Sequence, residues 1–189
     1  MGRTDRKEEI LDHAEDLIQR MGSNAMSYHH LSQEIGIRKA SIHYYFPHKE
    51  DLILALQTRC EQTYFERYQA IEEGPGTAPE KLVAFAKVFA DSVRKGKLCV
   101  ATMLSAEYDN LSAPSRDALK SMTSKTLGII SSILSRGIEN REISESVDTN
   151  EMAYAYFGFL KGGHLIARCN QSADTFERSA LLFVKQLKP

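Results

Sequence analysis

Apolar side chains recur every three or four positions along most of this chain and almost nowhere at alternate positions. In the first such stretch Ile10, Leu11, Ala14, Leu17, Ile18 and Met21 make one stripe, the pattern of an amphipathic helix with one buried face. The spacing predicts a helix over about 4–21, stopped by Gly22, which takes the left-handed conformation at a helix end at low cost. Ser27 is placed to cap a second helix that ends at Gly36. A third covers about 38–45, before Pro47 blocks its continuation. A fourth runs from about 49 to 73, with Leu52, Leu56, Cys60, Tyr64, Tyr68 and Ile71 near one face.

The segment Gly74-Pro75-Gly76-Thr77-Ala78-Pro79 is the clearest break and has the composition of a surface loop. A fifth helix follows, striped by Leu82, Phe85, Ala86, Phe89 and Val93 and ended by Gly96. A sixth carries Leu98 to about Asn110. Ser112 and Pro114 announce a seventh that reaches about Asn140. The eighth spans about 149–169 and the ninth about 174–187, where Asp174 and Glu177 have capping-box spacing. The expectation is an all-α protein of about nine helices and no strand, divided into residues 1–52 and 53–189.

Composition removes several function classes. In 189 residues no apolar run approaches the ~18–20 needed to span a bilayer, and no charged-then-apolar leader opens the chain. Basic and acidic residues balance, 24 against 25, so the chain is neither a polybasic coat nor an acidic tail. Cys60, Cys99 and Cys169 are scattered and odd in number, which argues for a reducing, cytoplasmic setting rather than a disulfide scaffold. There is no glycine-rich phosphate loop, nucleophile elbow or His-Glu-x-x-His. Adjacent His29 and His30 diverge by about 100° on a helix and do not share a face. No enzyme, catalytic residue, cofactor or metal is expected, and no membrane partner.

The informative stretch is Ser27 to Leu52. Leu31, Ile35, Ile37 and Ile42 would hold two short helices against the first. Ser32 is small where helices cross, Gly36 follows four residues later, and Ile42 six beyond that. Small residue, glycine, then aliphatic at this spacing is what a helix-turn-helix requires, and its second helix enters the major groove of DNA. Lys39, Ser41 and His43 can hydrogen-bond to bases, and Ala40 allows close approach and contact with a thymine methyl. Tyr44, Tyr45, His48 and Lys49 can donate to phosphates, which set register. Residues 1–52 carry seven Lys/Arg and nine Asp/Glu, but most of the acids lie between Asp5 and Asp16. From His29 to Lys49 the only acid is Glu34, against three basic residues and four histidines.

The end of this stretch carries a family resemblance. Tyr44-Tyr45-Phe46-Pro47-His48-Lys49-Glu50-Asp51-Leu52 is similar to the close of the DNA-binding domain in tetracycline-repressor-like (TetR) regulators: an aromatic pair, Phe, a turn residue, Ser or Asn, Lys, an acid and Leu. Gly36-Ile37 and Ala40-Ser41-Ile42 also fit, and residues 4–52 as a whole resemble that domain. The resemblance implies a three-helix helix-turn-helix domain joined through the fourth helix to a helical ligand-binding and dimerisation domain. It implies a sequence-specific transcriptional regulator, by family default a repressor released from operator DNA by a small-molecule effector. By position, Lys39, Ala40, Ser41 and His43 fall where the family reads bases, and Tyr44, Tyr45 and Lys49 where it grips phosphate. His29 falls at another frequent contact, and Ser27 and Arg38 complete the candidate surface. Two departures bear on the operator rather than the fold. Arg38 stands where a serine or threonine usually caps the third helix, and His43 where tyrosine is common.

Beyond residue 53 the residues speak less clearly. The eighth helix is apolar around most of its circumference and holds Gly158, Gly162 and Gly163, each costing roughly 1 kcal/mol of helix propensity. Close backbone approach would justify them, either within the chain or between two chains. The resemblance implies the second: a homodimer through the eighth and ninth helices, with Phe176, Ala180, Phe183 and Leu187 on the latter. Candidate ligand residues between the fourth and seventh helices are Tyr64, Tyr68, Phe85, Phe89, Cys99, Met103, Glu107, Leu127, Ile130 and Leu134. Glu107 would pair with a cationic ligand, or with Arg94 or Lys97. The stretch from Cys99 to Glu107 is similar to a segment in electrophile- and oxidant-sensing members of the family, with Lys97 near enough to favour the thiolate. The plainer reading of Cys99 is a small buried hydrophobe. A ligand-independent architectural DNA-binding protein is the other alternative.

Overall fold

Local hydrogen bonds set where the helices begin. In the computed structural model, which describes residues 3–189 with side chains from Arg6 onward, the helices are α1 (Arg3–Met21), α2 (Tyr28–Ile35), α3 (Lys39–Tyr45), α4 (Lys49–Glu73), α5 (Ala78–Arg94), α6 (Val100–Ala106), α7 (Ala113–Glu139), α8 (Thr149–Cys169) and α9 (Ala173–Lys185), with a 3-10 turn at Tyr108–Asn110. The first two residues of the expected N-terminal domain lie outside the described residues. No strand occurs among the described residues, and no helix there is long and apolar enough to cross a membrane. Ser27 caps α2, its Oγ accepting from the His30 amide at 3.2 Å, and Gly36 closes that helix at φ +73°. Thr77 and Glu80 form a reciprocal capping box at the start of α5.

Two expectations about helix ends are corrected. The capping box at Asp174 and Glu177 does not form. Ser172 caps α9 instead, accepting from the Thr175 amide at 3.3 Å. Asp174 and Glu177 lie inside the helix and reach Arg94 of α5 at 3.1 and 2.8 Å. Two good cap residues stood within three positions of each other, and the cationic Arg94 gave the carboxylates a better use. The sixth helix is also shorter than expected: Glu107 is its C-cap, and the chain tightens into the 3-10 turn beyond it.

Packing divides the chain into two units. The first comprises residues 1–62 and 99–122, the second residues 63–98 and 123–189. Residues 53–62 and 99–122, expected in the second body, therefore group with the N-terminal helices, and α4 and α7 each run through both units.

In the first unit Ile10, Ala14, Leu17 and Ile18 of α1 are buried together with Leu31, Ile42, Phe46, Leu52 and Leu56. Arg59 of α4 holds α1 from the outside, reaching Glu8 at 3.3 Å, Asp12 at 2.7 Å and Glu15 at 2.7 Å. Surface pairs of this kind are individually weak, but here three carboxylates share one guanidinium. Glu107 ties the end of α6 to the turn after α1. Its carboxylate accepts from the Ser23 amide at 2.9 Å, from the Ser23 hydroxyl, and from the Asn24 amide at 3.2 Å. Gly22 permits this: its φ is +87°, and a Cβ added there would sit 2.5 Å from the Glu107 Oε1.

The second unit is built on aromatic rings. Tyr68 stacks on Phe85 with centroids 4.1 Å apart, and Phe159 lies against Phe176 at 6.0 Å and Phe183 at 5.0 Å. Tyr156 is fully buried, and its hydroxyl donates to the Leu82 carbonyl at 2.6 Å. Burial pushes its phenol well above the usual tyrosine range. Of the glycines in α8, only Gly163 is used within the chain: a Cβ there would fall 2.8 Å from the Phe176 ring, whereas Gly158 and Gly162 have nothing within 4 Å.

Candidate functional site

The helix-turn-helix is held from inside by a tyrosine. The buried Tyr28 hydroxyl donates to the carbonyls of Phe46 and His48, both at 2.8 Å. This fixes the end of α3 and the start of α4 against α2. Burial, then the charges of Asp51 and Glu50, push the Tyr28 phenol far above its ordinary range. Asp51 in turn accepts from the His48 amide at 2.9 Å, opening α4.

With Ile42 and Phe46 buried, α3 turns its other side outward. Lys39, Ala40, His43 and Tyr44 are exposed and fall within an arc of about 140° at 100° per residue. Ser41, Tyr45 and Lys49 are half-buried at the edges. Tyr44 is 63% exposed and meets Tyr45 edge-on at 5.2 Å. Arg38 is exposed at the N-cap of α3 and makes no side-chain capping bond, so the departure at that position leaves its guanidinium for another use. His29 is exposed on α2, and Ser27 is half-buried with its oxygen engaged in the cap.

His43 is more constrained than its exposure suggests. Its ring packs edge-to-face on Tyr28 at 4.8 Å, and Nδ1 lies 3.1 Å from the Pro47 carbonyl. A carbonyl oxygen can only accept, so an N–H sits on Nδ1, and in the neutral ring Nε2 is the acceptor. Glu34, the one acid in this stretch, is drawn aside by Arg20 at 3.3 Å and His13 at 3.6 Å. The acids of α1 from Glu8 to Asp16 are held by Arg59, Arg20 and Arg6. The outward side of α3 thus carries cationic and neutral polar groups with the acids engaged elsewhere.

The candidate ligand residues do not all fall in one unit. Tyr64, Tyr68, Phe85, Phe89, Leu127, Ile130 and Leu134 belong to the second, while Cys99, Met103 and Glu107 belong to the first. Tyr68, Phe85, Phe89, Ile130 and Leu134 are buried; Tyr64 and Leu127 are half-buried. Glu107 takes the Ser23 and Asn24 donors, in place of the pairing with Arg94 or Lys97 that the sequence suggested. Cys99 caps α6, with Sγ 3.3 Å from the Thr102 amide and 2.8 Å from its hydroxyl.

Sequence reasoning passed over His164 of α8. It is fully buried, meets Phe89 edge-to-face at 5.5 Å, and neither ring nitrogen has a hydrogen-bond partner. The signal was available. Five of the six histidines lie in residues 1–52, and the sixth sits alone in the most apolar helix, four residues after Leu160 and eight after Tyr156.

Comparison with known proteins bears on both halves. The profile described as "Bacterial regulatory proteins, tetR family" matches residues 10–56, and the one described as "Tetracyclin repressor-like, C-terminal domain" matches residues 78–183. The HTH-type transcriptional repressor NemR of Escherichia coli K12 is 25% identical over 187 residues, covering 97% of this chain and 94% of that one. The reduced form of E. coli NemR, 24% identical, superposes with a TM-score of 0.82 over 96% of each chain. The fatty acid metabolism regulator protein of Bacillus subtilis 168 is 26% identical over 153 residues, 80% of this chain and 78% of its own. A TetR-family transcriptional regulator from Agrobacterium tumefaciens superposes with a TM-score of 0.94 at 25% identity, covering 100% of both chains.

Proposed function

The chain belongs to the TetR family of bacterial regulatory proteins, and from that premise we propose that it is a repressor that reads operator DNA as a homodimer and is released by a small molecule. The family and the relatives above are transcriptional regulators, not enzymes. The observation that carries the reading is the outward side of α3, where Lys39, Ala40, His43 and Tyr44 stand exposed over the buried Ile42.

In this reading residues 1–52 are the DNA-binding domain and residues 53–189 the ligand-binding and dimerisation domain, working in the cytoplasm. Lys39, Ala40, Ser41 and His43 meet base edges. Tyr44, Tyr45 and Lys49 grip phosphate, flanked by Ser27, His29 and Arg38. The acceptor at His43 Nε2 suits the exocyclic amines of adenine or cytosine in the major groove, and not the acceptors of guanine. Two copies meet through α8 and α9, where Tyr154, Leu165, Ile166, Leu181 and Leu182 are exposed and Gly158 and Gly162 leave room for close approach. Pairing brings two recognition helices to half-sites about one helical turn, ~34–36 Å, apart. An effector held by the aromatic residues of the second unit moves α4, which begins at the reading head, and favours the state that does not fit DNA.

A binding selection from random duplexes tests this. The expected result is a palindromic site with adenine or cytosine at the position that relaxes in His43→Ala. Uniform affinity for all sequences would instead support an architectural DNA-binding protein. A second reading, a thiol sensor of the same fold, draws on Cys99: the Thr102 amide donates to its sulfur, which favours a thiolate. Alkylation mass spectrometry on the folded protein decides it, since a thiol that reacts only after denaturation removes that reading.

A further inference from the structure

Buried polar side chains in this protein are almost all served. Tyr156, two turns of α8 before the histidine, reaches the Leu82 carbonyl, and Tyr28 reaches two carbonyls. In the first unit Gln57 Oε1 and Ser115 Oγ have no partner, and in the second the exception is His164. Among the described residues it is the one buried polar or charged side chain of the second unit apart from Tyr68 and Tyr156, its exposure is 0%, and both ring nitrogens are unpartnered. In either neutral tautomer an imidazole offers one N–H donor and one lone-pair acceptor. Leaving both unserved in an apolar interior is costly, and native proteins keep such groups where something else completes them.

The surroundings say what that something is. Phe89 meets the His164 ring at right angles, and Phe85, one turn earlier on α5, stacks on Tyr68 of α4 at 18° between planes. The ring against the histidine is therefore apolar, and Phe85 and Tyr68 extend the aromatic surface from it, with the Tyr68 hydroxyl the one polar group of the three. No carboxylate, lysine or arginine is buried among the described residues, so a charged ligand would be desolvated here without a counterion. A hydroxyl group can serve either ring nitrogen, accepting from the N–H or donating to the bare nitrogen. A carbonyl can serve only the first.

We propose that His164 is the polar anchor of a small-molecule site in the second unit, walled by Tyr68, Phe85 and Phe89, that takes an uncharged apolar molecule bearing a hydroxyl group. This deepens the effector reading above and rests on it for its biological use.

Three probes that share a benzyl group test the chemistry on the full chain: toluene, benzyl alcohol and benzylamine, titrated calorimetrically. The wild type is expected to bind benzyl alcohol at least tenfold more tightly than either of the others. Ring-nitrogen resonances of 15N-labelled His164 should move with benzyl alcohol and stay with toluene. His164→Leu should lose the preference and keep toluene binding, and His164→Gln, which keeps a donor and an acceptor, should restore part of it. An unchanged ranking in His164→Leu, a preference for the amine, or no binding of any probe overturns the proposal. So does failure of both variants to fold, which would make the ring a structural element only. DNA release is read separately on a selected operator. Binding of benzyl alcohol through His164 without any change in DNA affinity keeps the site and removes the effector reading. Release by some other compound that is undiminished in His164→Leu does the reverse.

Discussion

The two units treat polar groups in opposite ways. In the first, most polar side chains inside the fold are tied to named partners, the Ser115 hydroxyl excepted: Tyr28 to two carbonyls, Glu107 to the Ser23 and Asn24 donors, Arg59 to three acids. Even Gln57, whose Oε1 has no partner, keeps its amide on the Ser115 carbonyl at 2.9 Å. What remains outward on α3 is mostly polar, and His43 there is held by Tyr28 and the Pro47 carbonyl. In the second unit the interior is aromatic with one unserved histidine, and the outside of α8 and α9 is apolar: Tyr154 is 74% exposed, Ile166 64% and Leu182 62%. A rigid polar display suits a partner of fixed shape and charge, such as a duplex. An exposed apolar face suits a second protein surface, and an apolar interior with one polar anchor suits a small molecule.

The sharpest break of this contrast is at the apolar face. Ile166→Glu with Leu182→Glu is expected to give monomers in sedimentation velocity, each change costing about 2 kcal/mol or more if it falls in the core of the interface. Operator affinity should collapse with it, while Lys39→Ala leaves the oligomer intact. A dimer that survives both glutamates would place the interface elsewhere.

Next in size is the clamp at Glu107. Glu107→Ala leaves the Ser23 and Asn24 donors without their charged acceptor and should lower stability by about 2–3 kcal/mol, read as a fall in melting temperature. On the DNA side, Lys39→Ala and Ser41→Ala should each cost about 1–3 kcal/mol of discrimination where a base contact is lost. Lys49→Ala should weaken all sequences alike and lower the salt slope by about 0.9 for each phosphate contact removed. Filter or anisotropy titrations at several salt concentrations separate the two behaviours.

The smallest effect is alkaline. Tyr28 ionises far above the ~10 of an unfolded tyrosine, so its neutral form is bound preferentially by the fold. Its contribution is whole below pH 10 and drains away as pH rises beyond that. Melting temperature should therefore fall more steeply between pH 10 and 11 in the wild type than in Tyr28→Phe. The variant itself should be about 1 kcal/mol less stable at neutral pH, because two carbonyls lose their donor. Equal slopes would mean that the two hydrogen bonds do not persist in solution.

Much of the reading head could be foreseen because its signals are short-range. Ser27 and Gly36 bracket α2 by capping and by a left-handed φ, and of the core residues expected from spacing Leu31 and Ile42 are buried while Ile35 and Ile37 are half-buried. The second half was less readable. A stripe of Phe and Tyr looks the same whether it lines a site or fills a core, so ten candidates were named and three of them fell in the other unit. His164 was missed although its spacing from Tyr156 and Leu160 puts it on the buried face of α8, because spacing gives a face and not the partners met there.

Periodicity, caps and the Gly36 turn settle helices and their buried faces, because each depends on residues within a turn or two of one another. That Arg59 meets the acids of α1, what Glu107 holds, where Asp174 turns instead of capping α9 and what His164 packs against depend on side chains brought together from 40 to more than 80 positions apart in the chain. Those encounters are set by how helices pack, and no local pattern encodes them.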